Sequence, residues 1–382
     1  MRGRVHAFNF AASNQDLDMV FGLFKKKKDK ENKNGDSRYH QLTIQEVVPI
    51  AKDAVNLVFE APGSDFDYQP GQFITLIQEV NGKKIRRAYS LCSTPFEDAN
   101  PAVTVKRVPD GQMSNHVNDV LKAGDEVEIM EPMGLFTTTY DPAAMRNIVF
   151  FGGGSGITPL YSLIRSVLLK EPNSTLSLVY GNRSEEYIIF KDELHELAST
   201  YADRFNLIHI LEEGEADYVG RPTKDTIAEI AGKLEMDAST EVFICGPQPM
   251  MDVVTDGLKQ AGIADEQVRM ESFEAGKTSP AEIIAEESEA ESSSEVSILL
   301  EGENYSITVP KQRAVLEVGL EDGLDMPYSC QSGLCTACRG KCLEGEISID
   351  GAEGLTQDEI DEGYVLLCVG KPLTDQVKVE IG

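Results

Sequence analysis

Residues 330–342 read CQSGLCTACRGKC and place Cys330, Cys335, Cys338 and Cys342 in one short loop. Thiolates bind soft and borderline metals, so four of them this close together resemble a finished metal site. The gaps are four, two and three residues, and Leu343 rather than proline follows the last cysteine. An iron–sulfur run of the form C-x2-C-x2-C-x3-C-P fails on the first gap and on the missing proline. The alternative, C-x4-C-x2-C with a distant fourth cysteine, is a [2Fe–2S] spacing. It takes Cys330, Cys335 and Cys338 as ligands and looks downstream for the fourth, which Cys368 in GYVLLCVGKP supplies after twenty-nine intervening residues. Cys342 then falls on a short strand, RGKCLE, alternating with exposed-looking Arg339 and Lys341, and is expected to be a small apolar core residue. Gly333 allows the loop a backbone turn that a side chain would resist. Zinc also accepts four thiolates, but structural zinc sites pair two short knuckles and Cys368 has no close partner. A zinc-stapled binding scaffold without redox turnover is therefore the alternative of a different class.

A second chemical feature is GGGSGITP, residues 152–159, between the apolar run RNIVFF and a helical segment. Glycines at a strand–turn–helix junction let a pyrophosphate approach the backbone, where helix N–H groups and the dipole favour anions. The pattern is not G-x-G-x-x-G, so an ordinary dinucleotide dehydrogenase is not implied. The five histidines do not cluster, and His116, His195 and His209 are expected in surface or satisfied core roles.

The elements that carry these residues divide the chain. Residues 39–141 hold short alternating runs separated by Gly and Pro turns, with one helix near Ser114–Leu121, as in a small antiparallel β-barrel. Residues 142–275 alternate apolar strands with helices, which predicts a doubly wound α/β domain. Residues 276–295 are acidic, Ser/Ala-rich and without aromatics, and read as a linker. Residues 296–382 form a third, small α+β unit containing the cysteine loop. Residues 1–38 contain KKKKDKENKNGDS and read as a basic tail, with Met19 an alternative start; MVFGLFKKKK could touch an anionic membrane, but a solvated tail is the preferred reading.

The 382 residues exceed one ordinary core, and 41% apolar with 26% charged residues is the balance of a globular protein. No run approaches the roughly 18 apolar residues of a membrane span and no signal-peptide pattern is found, so a cytoplasmic location is expected. Disulfides are disfavoured there, which leaves seven clustered cysteines to metal or redox chemistry. A formal charge of −29 argues against nucleic acid as a partner. The charge is uneven: residues 1–40 hold nine Lys/Arg against five Asp/Glu, while residues 276–382 hold seven against twenty-two. An acidic domain of that kind can steer towards a basic partner, although solubility also explains it.

PYSCQSGLCTACRGKCLEGEI, with LTQDEIDEGYVLLC, resembles a plant-type ferredoxin domain of the β-grasp kind over residues 296–382. RRAYS, GQMSNHV, GGGSGITP and CGPQPMM, with QPGQF and PMGLF, resemble the ferredoxin–NADP reductase superfamily over residues 39–275. The order of flavin barrel, nucleotide domain and ferredoxin is similar to the reductase components of multicomponent oxygenases, among them phenylacetyl-CoA epoxidase and steroid hydroxylase reductases.

That resemblance implies FAD, a [2Fe–2S] cluster and a nicotinamide nucleotide, with electrons passing to a protein acceptor such as an oxygenase, hydroxylase or desaturase. It implies that Arg87 pairs with the flavin pyrophosphate, Tyr89 packs on the isoalloxazine and Ser90 bonds near N5. Gly111 and Ser114 would hold phosphate, and Gly153, Gly154, Gly156 and Thr158 would line the nucleotide cleft. Cys245, followed by Gly246, would face the nicotinamide without acting as a nucleophile, and Glu271 and Phe273 would close the flavin face. Arg183 and Ser184 lie where a 2′-phosphate could be met, which favours NADPH; Glu185 and Glu186 beside them keep NADH as the alternative. Plant-type clusters sit near about −400 mV, low enough to serve oxygenases. A general ferredoxin or flavodoxin reductase is the nearer alternative, and the fused ferredoxin counts against it.

Overall fold

The computed structural model describes residues 39–63, 66–80, 82–273, 293–300, 302–324, 326–328, 333 and 336–381. The basic tail, most of the acidic linker, Cys330 and Cys335 lie outside the described residues.

Alternating apolar residues build the first unit. Strand β1 (Tyr39–Ala51) is long and serves two neighbours: Tyr39–Thr43 pair with β6 (Glu126–Met133), and Ile44–Ala51 pair with β2 (Ala54–Phe59). With β3 (Phe73–Val80), β4 (Lys83–Ser90) and β5 (Ala102–Lys106) the antiparallel order is β4-β3-β6-β1-β2-β5. A bridge between Leu91 and Val103 brings the two edges together, closing the sheet towards a barrel and covering edge groups that would otherwise need partners. Leu42, Ile44, Leu57, Phe59, Leu76 and Ile129 fill the interior. Helix α1 (Gln112–Asp119) begins two residues before the expected Ser114 and adds Met113 and Val117 to that core.

The second unit is a parallel sheet in the order β10-β9-β8-β7-β11-β12, from β7 (Asn147–Gly153), β8 (Thr175–Asn182), β9 (Phe205–Leu211), β10 (Tyr218–Val219), β11 (Glu241–Cys245) and β12 (Val268–Glu271). Helices α2 (Ile157–Lys170), α3 (Lys191–Thr200), α4 (Lys224–Lys233) and α5 (Gln248–Gln260) make the crossovers. The first strand, β7, has β8 on one side and β11 on the other. The winding therefore reverses between β7 and β11, and a crevice opens beyond their carboxyl ends.

The first two units share one core. Cys92, Ala102 and Phe136 of the barrel segment pack with Leu160, Ile164 and Phe243. Ser162 donates to the Ser93 carbonyl at 2.6 Å, and Arg165 pairs with Asp98 and Glu97, each at 2.6 Å.

The third unit is a mixed sheet in the order β14-β13-β17-β15-β16, made of β13 (Ser293–Leu300), β14 (Glu303–Pro310), β15 (Arg339–Glu344), β16 (Tyr364–Leu366) and β17 (Gln376–Ile381). Only β13 and β17 pair in parallel; helix α6 (Val315–Glu321) lays Val315, Leu316 and Val318 on the sheet, and α7 (Gln357–Asp361) precedes β16. This is the β-grasp arrangement expected of the third unit. Its first strand starts at Ser293, inside the acidic stretch. Arg339 is not the exposed residue its alternation suggests, since its guanidinium pairs with Glu359 and lies over Tyr364.

Candidate functional site

The glycine turn sits at the point where the winding reverses. β7 ends in Gly152–Gly153, a single 3-10 turn covers Gly154–Gly156, and α2 follows at once. A Cβ on Gly156 would overlap the Cys245 carbonyl, so only glycine lets the start of α2 approach the end of β11. Gly154 has a φ of 51°, and Tyr180 pins its carbonyl with a 2.8 Å hydrogen bond from the phenol. Thr158 is buried in the first turn of α2 and donates to the Ser155 carbonyl at 3.0 Å. The crevice therefore presents the positive end of a helix with little side-chain bulk in front of it, an arrangement suited to a diphosphate.

Cys245 closes β11 and is fully buried, with Gly246 directly after it. Burial, and then the charge of Glu271 on the adjoining strand, push the Cys245 thiol well above its ordinary value. A thiol held protonated in this way is a compact apolar surface, not a nucleophile. Glu271 ends β12 beside it, and Phe273, two residues on, is partly exposed.

On the barrel, β4 alternates its side chains, so Arg87 and Tyr89 share one face while Arg86 and Ala88 share the other. Tyr89 packs against the barrel core, and burial raises its phenol pKa. Ser90 is buried at the strand end. Arg87 donates to the Arg86 carbonyl at 2.8 Å. Gly111 caps α1, and Ser114 Oγ accepts from the Val108 amide at 3.1 Å, which draws the turn tightly over the helix N-terminus.

Two cations absent from the sequence expectations stand beside the Tyr187 ring. Lys106, at the end of β5, reaches across from the barrel: its Nζ would stand 3.2 Å from a Cβ on Gly154. It also lies 6.0 Å from the Tyr187 ring centre, and Arg183 approaches the same ring at 5.3 Å. Burial, and then the positive charge of Arg183, lower the Lys106 pKa. Lys52, in the turn between β1 and β2, pairs with Glu186 at 2.7 Å and lies 4.9 Å from Tyr187. Glu185 pairs with Lys191 at 2.5 Å, and that bond holds its carboxyl below the usual range. Both glutamates next to Arg183 and Ser184 are thus engaged by lysines. No local pattern marks Lys52 or Lys106, since each is a single lysine on an ordinary turn or strand.

In the third unit the Leu367 amide donates to the Cys338 carbonyl at 3.2 Å, which sets the segments carrying Cys338 and Cys368 side by side. Cys338 is buried and Cys368 partly so. Cys342 lies four residues along β15, about 13 Å of strand from Cys338. Its thiol is directed at the Glu344 and Gly345 carbonyls, at 3.6 and 3.5 Å, and it is half-buried against the core. Gly333 has a φ of 78°, and a Cβ there would overlap the Gly351 carbonyl, so the loop needs a glycine at that point. Among the described residues, the segments of Cys338 and Cys368 are adjacent and the Cys342 thiol faces backbone carbonyls.

A flavin barrel, a doubly wound nucleotide domain and a β-grasp unit with a cysteine loop define a nucleotide-dependent electron-transfer reductase. Comparisons with known proteins agree. Residues 41–138 match the oxidoreductase FAD-binding domain family, residues 150–256 the oxidoreductase NAD-binding domain family, and residues 298–373 the 2Fe-2S iron-sulfur cluster binding domain family. The ferredoxin reductase component of 3-ketosteroid-9-alpha-monooxygenase from Rhodococcus rhodochrous is 36% identical over 90% of this chain and 97% of its own length. A 1,2-phenylacetyl-CoA epoxidase subunit from Escherichia coli (strain K12) is 31% identical over the same shares. Among solved structures, phthalate dioxygenase reductase superposes with a TM-score of 0.55 at 25% identity, covering 90% of this chain and 98% of that one. The chain belongs to the family of oxygenase reductase components that join FAD-binding, NAD-binding and 2Fe-2S domains. It is an oxidoreductase that passes electrons from NAD(P)H through FAD and a [2Fe–2S] cluster to a partner oxygenase. Among the described residues no helix is long and apolar enough to cross a membrane.

Proposed function

We propose that NADPH is the physiological donor and that the acceptor is the oxygenase component of a cytoplasmic multicomponent system. The observation that carries the nucleotide reading is the cationic seam of Arg183 and Lys106 about the Tyr187 ring. The acidic neighbours that would repel a 2′-phosphate are each paired with a lysine. An adenosine 2′-phosphate placed there would meet a guanidinium suited to bidentate contact, with the Ser184 hydroxyl beside it.

Within this reading, bound FAD supplies the exchange between two-electron and one-electron chemistry, and the cluster supplies a one-electron carrier. The chain's own residues bind and orient. Arg87 neutralises the flavin diphosphate, Tyr89 and Ser90 set the ring, and Gly111 and Ser114 close on phosphate at the start of α1. Gly153, Gly154, Gly156 and Thr158 cradle the nucleotide diphosphate, and the small Cys245–Gly246 corner leaves room for a stacked nicotinamide. Glu271 and Phe273 shield the reacting face from water. Cys330, Cys335, Cys338 and Cys368 hold the cluster.

The test is ferricyanide reduction by the holoprotein with each nucleotide. NADPH is expected to exceed NADH in kcat/KM by about tenfold or more, a difference that Arg183→Ala removes. Equal values for the two nucleotides would reject the NADPH reading.

A further inference from the structure

The two faces of β4 serve different units. Arg87 and Tyr89 occupy the face proposed for flavin, and Arg86 and Ala88, alternating with them, meet the ferredoxin unit. Arg86 Nη1 donates to Thr336 Oγ1 at 3.3 Å, and that hydroxyl lies 2.9 Å from Met130 Sδ on β6. Ala337 packs with Phe73, Ala88 and Met133. Thr336 and Ala337 are the two residues between Cys335 and Cys338, and both are buried, at 1% and 5% exposure. Thr336 also holds a φ of 50°, a left-handed conformation that a β-branched residue adopts only when its surroundings impose it.

The described contact is small and carries one cation. Arg86 brings a barrel cation to a unit whose segment, residues 276–382, carries seven basic against twenty-two acidic residues. Among the described residues the remainder of the contact is a small apolar patch and one hydroxyl, whereas the barrel and the nucleotide domain share a large core.

We propose that Arg86, Met130 and Thr336 are positioning residues forming a latch that seats the Thr336–Cys338 segment on the back of the strand proposed to carry the flavin. This rests on the flavin and ligand assignments proposed above. Closed, the latch would hold the Cys338 end of the cluster-binding segment against the strand whose other face would bear the flavin, so that the one-electron transfer these groups supply when bound would pass between the two units with no bond made or broken.

The test uses the full-length holoprotein with Arg86→Glu, Arg86→Lys and Thr336→Val. Visible spectra first establish that each variant carries flavin and cluster; a wild-type protein lacking either would reject the cofactor reading and not the latch. Hydrogen exchange at the Thr336 and Ala337 amides then reads docking, and anaerobic stopped-flow mixing with NADPH reads flavin and cluster bleaching separately. In Arg86→Glu, exchange is expected to rise and cluster bleaching to slow by about tenfold each, with flavin bleaching and ferricyanide reduction unchanged. Thr336→Val should shift both the same way by about threefold, and Arg86→Lys should restore most of the loss. Cluster bleaching at the wild-type rate in a fully loaded Arg86→Glu protein, whether or not exchange has risen, would overturn the proposal.

Discussion

Lys106 and Arg183 bring one cation from each of two domains to the Tyr187 ring, and the charge of Arg183 contributes to lowering the Lys106 pKa. The exposed guanidinium of Arg183 beside the partly buried Lys106 is a like-charge pair that an anion between them would relieve. In the proposed reading the domain boundary becomes part of nucleotide recognition.

Lys106 should give nucleotide binding an alkaline limit. Its pKa in the free protein lies below that of an ordinary lysine, and a bound phosphate would raise it again. As pH rises through the lowered value the ammonium is lost, so KM for the nucleotide should climb while kcat changes less. Lys106→Met should raise KM about tenfold at neutral pH and flatten the alkaline rise. A steady-state pH profile of both proteins checks this; an equal loss for NADH and NADPH would assign the lysine to the diphosphate, and a loss confined to NADPH to the 2′-phosphate.

Gly156→Ala should separate nucleotide use from flavin loading. The added methyl would overlap the Cys245 carbonyl, and relieving it must move either α2 or β11. Overpacking of this kind costs about 1–3 kcal/mol. The expected protein retains FAD absorption but is reduced by NADPH at least about a hundredfold more slowly, because a small misplacement at the reacting centre is expensive.

The two partly buried cysteines of the third unit should behave oppositely. Cys368→Ala is expected to abolish the cluster absorption and cytochrome c reduction while ferricyanide reduction through the flavin persists. Cys342→Ala should leave the cluster spectrum and cytochrome c reduction nearly intact, with a loss of stability of about 1 kcal/mol from the half-buried thiol. The reverse pattern would move the fourth ligand to Cys342.

Arg165→Ala should loosen the barrel from the nucleotide domain. Its guanidinium is largely buried and pairs with Asp98 in a two-pronged contact and with Glu97. Removing it leaves Asp98 without that partner, at a cost of about 1–3 kcal/mol. Thermal unfolding should begin several degrees lower, at about 2–4 °C per kcal/mol.

Much of this was legible in the chain. Apolar strands with intervening helices announced the nucleotide domain, and GGGSGITP announced a strand–turn–helix junction, because so close a strand–helix approach needs glycine; only the sheet order showed that the winding reverses there. Only one member of the cation seam was visible. Arg183 was marked by its place after the second strand, but Lys52 and Lys106 lie 131 and 77 residues before it, and nothing local distinguishes them from solvated charges. Glu185 and Glu186 read as obstacles to a phosphate until Lys191 and Lys52 were found paired with them.

CQSGLCTACRGKC shows the same division. Sequence determined what depends on covalent reach: a four-residue gap and a two-residue gap specify how thiolates can gather, and glycine at 333 specifies a turn that side chains resist. Tertiary structure decided what depends on approach through space. Pairing of β15 with β16 sets Cys338 beside the segment of Cys368 and turns Cys342 towards backbone carbonyls. Folding likewise lays Thr336 under Arg86, residues 250 positions apart, because strand alternation sends neighbouring side chains of β4 to different partners.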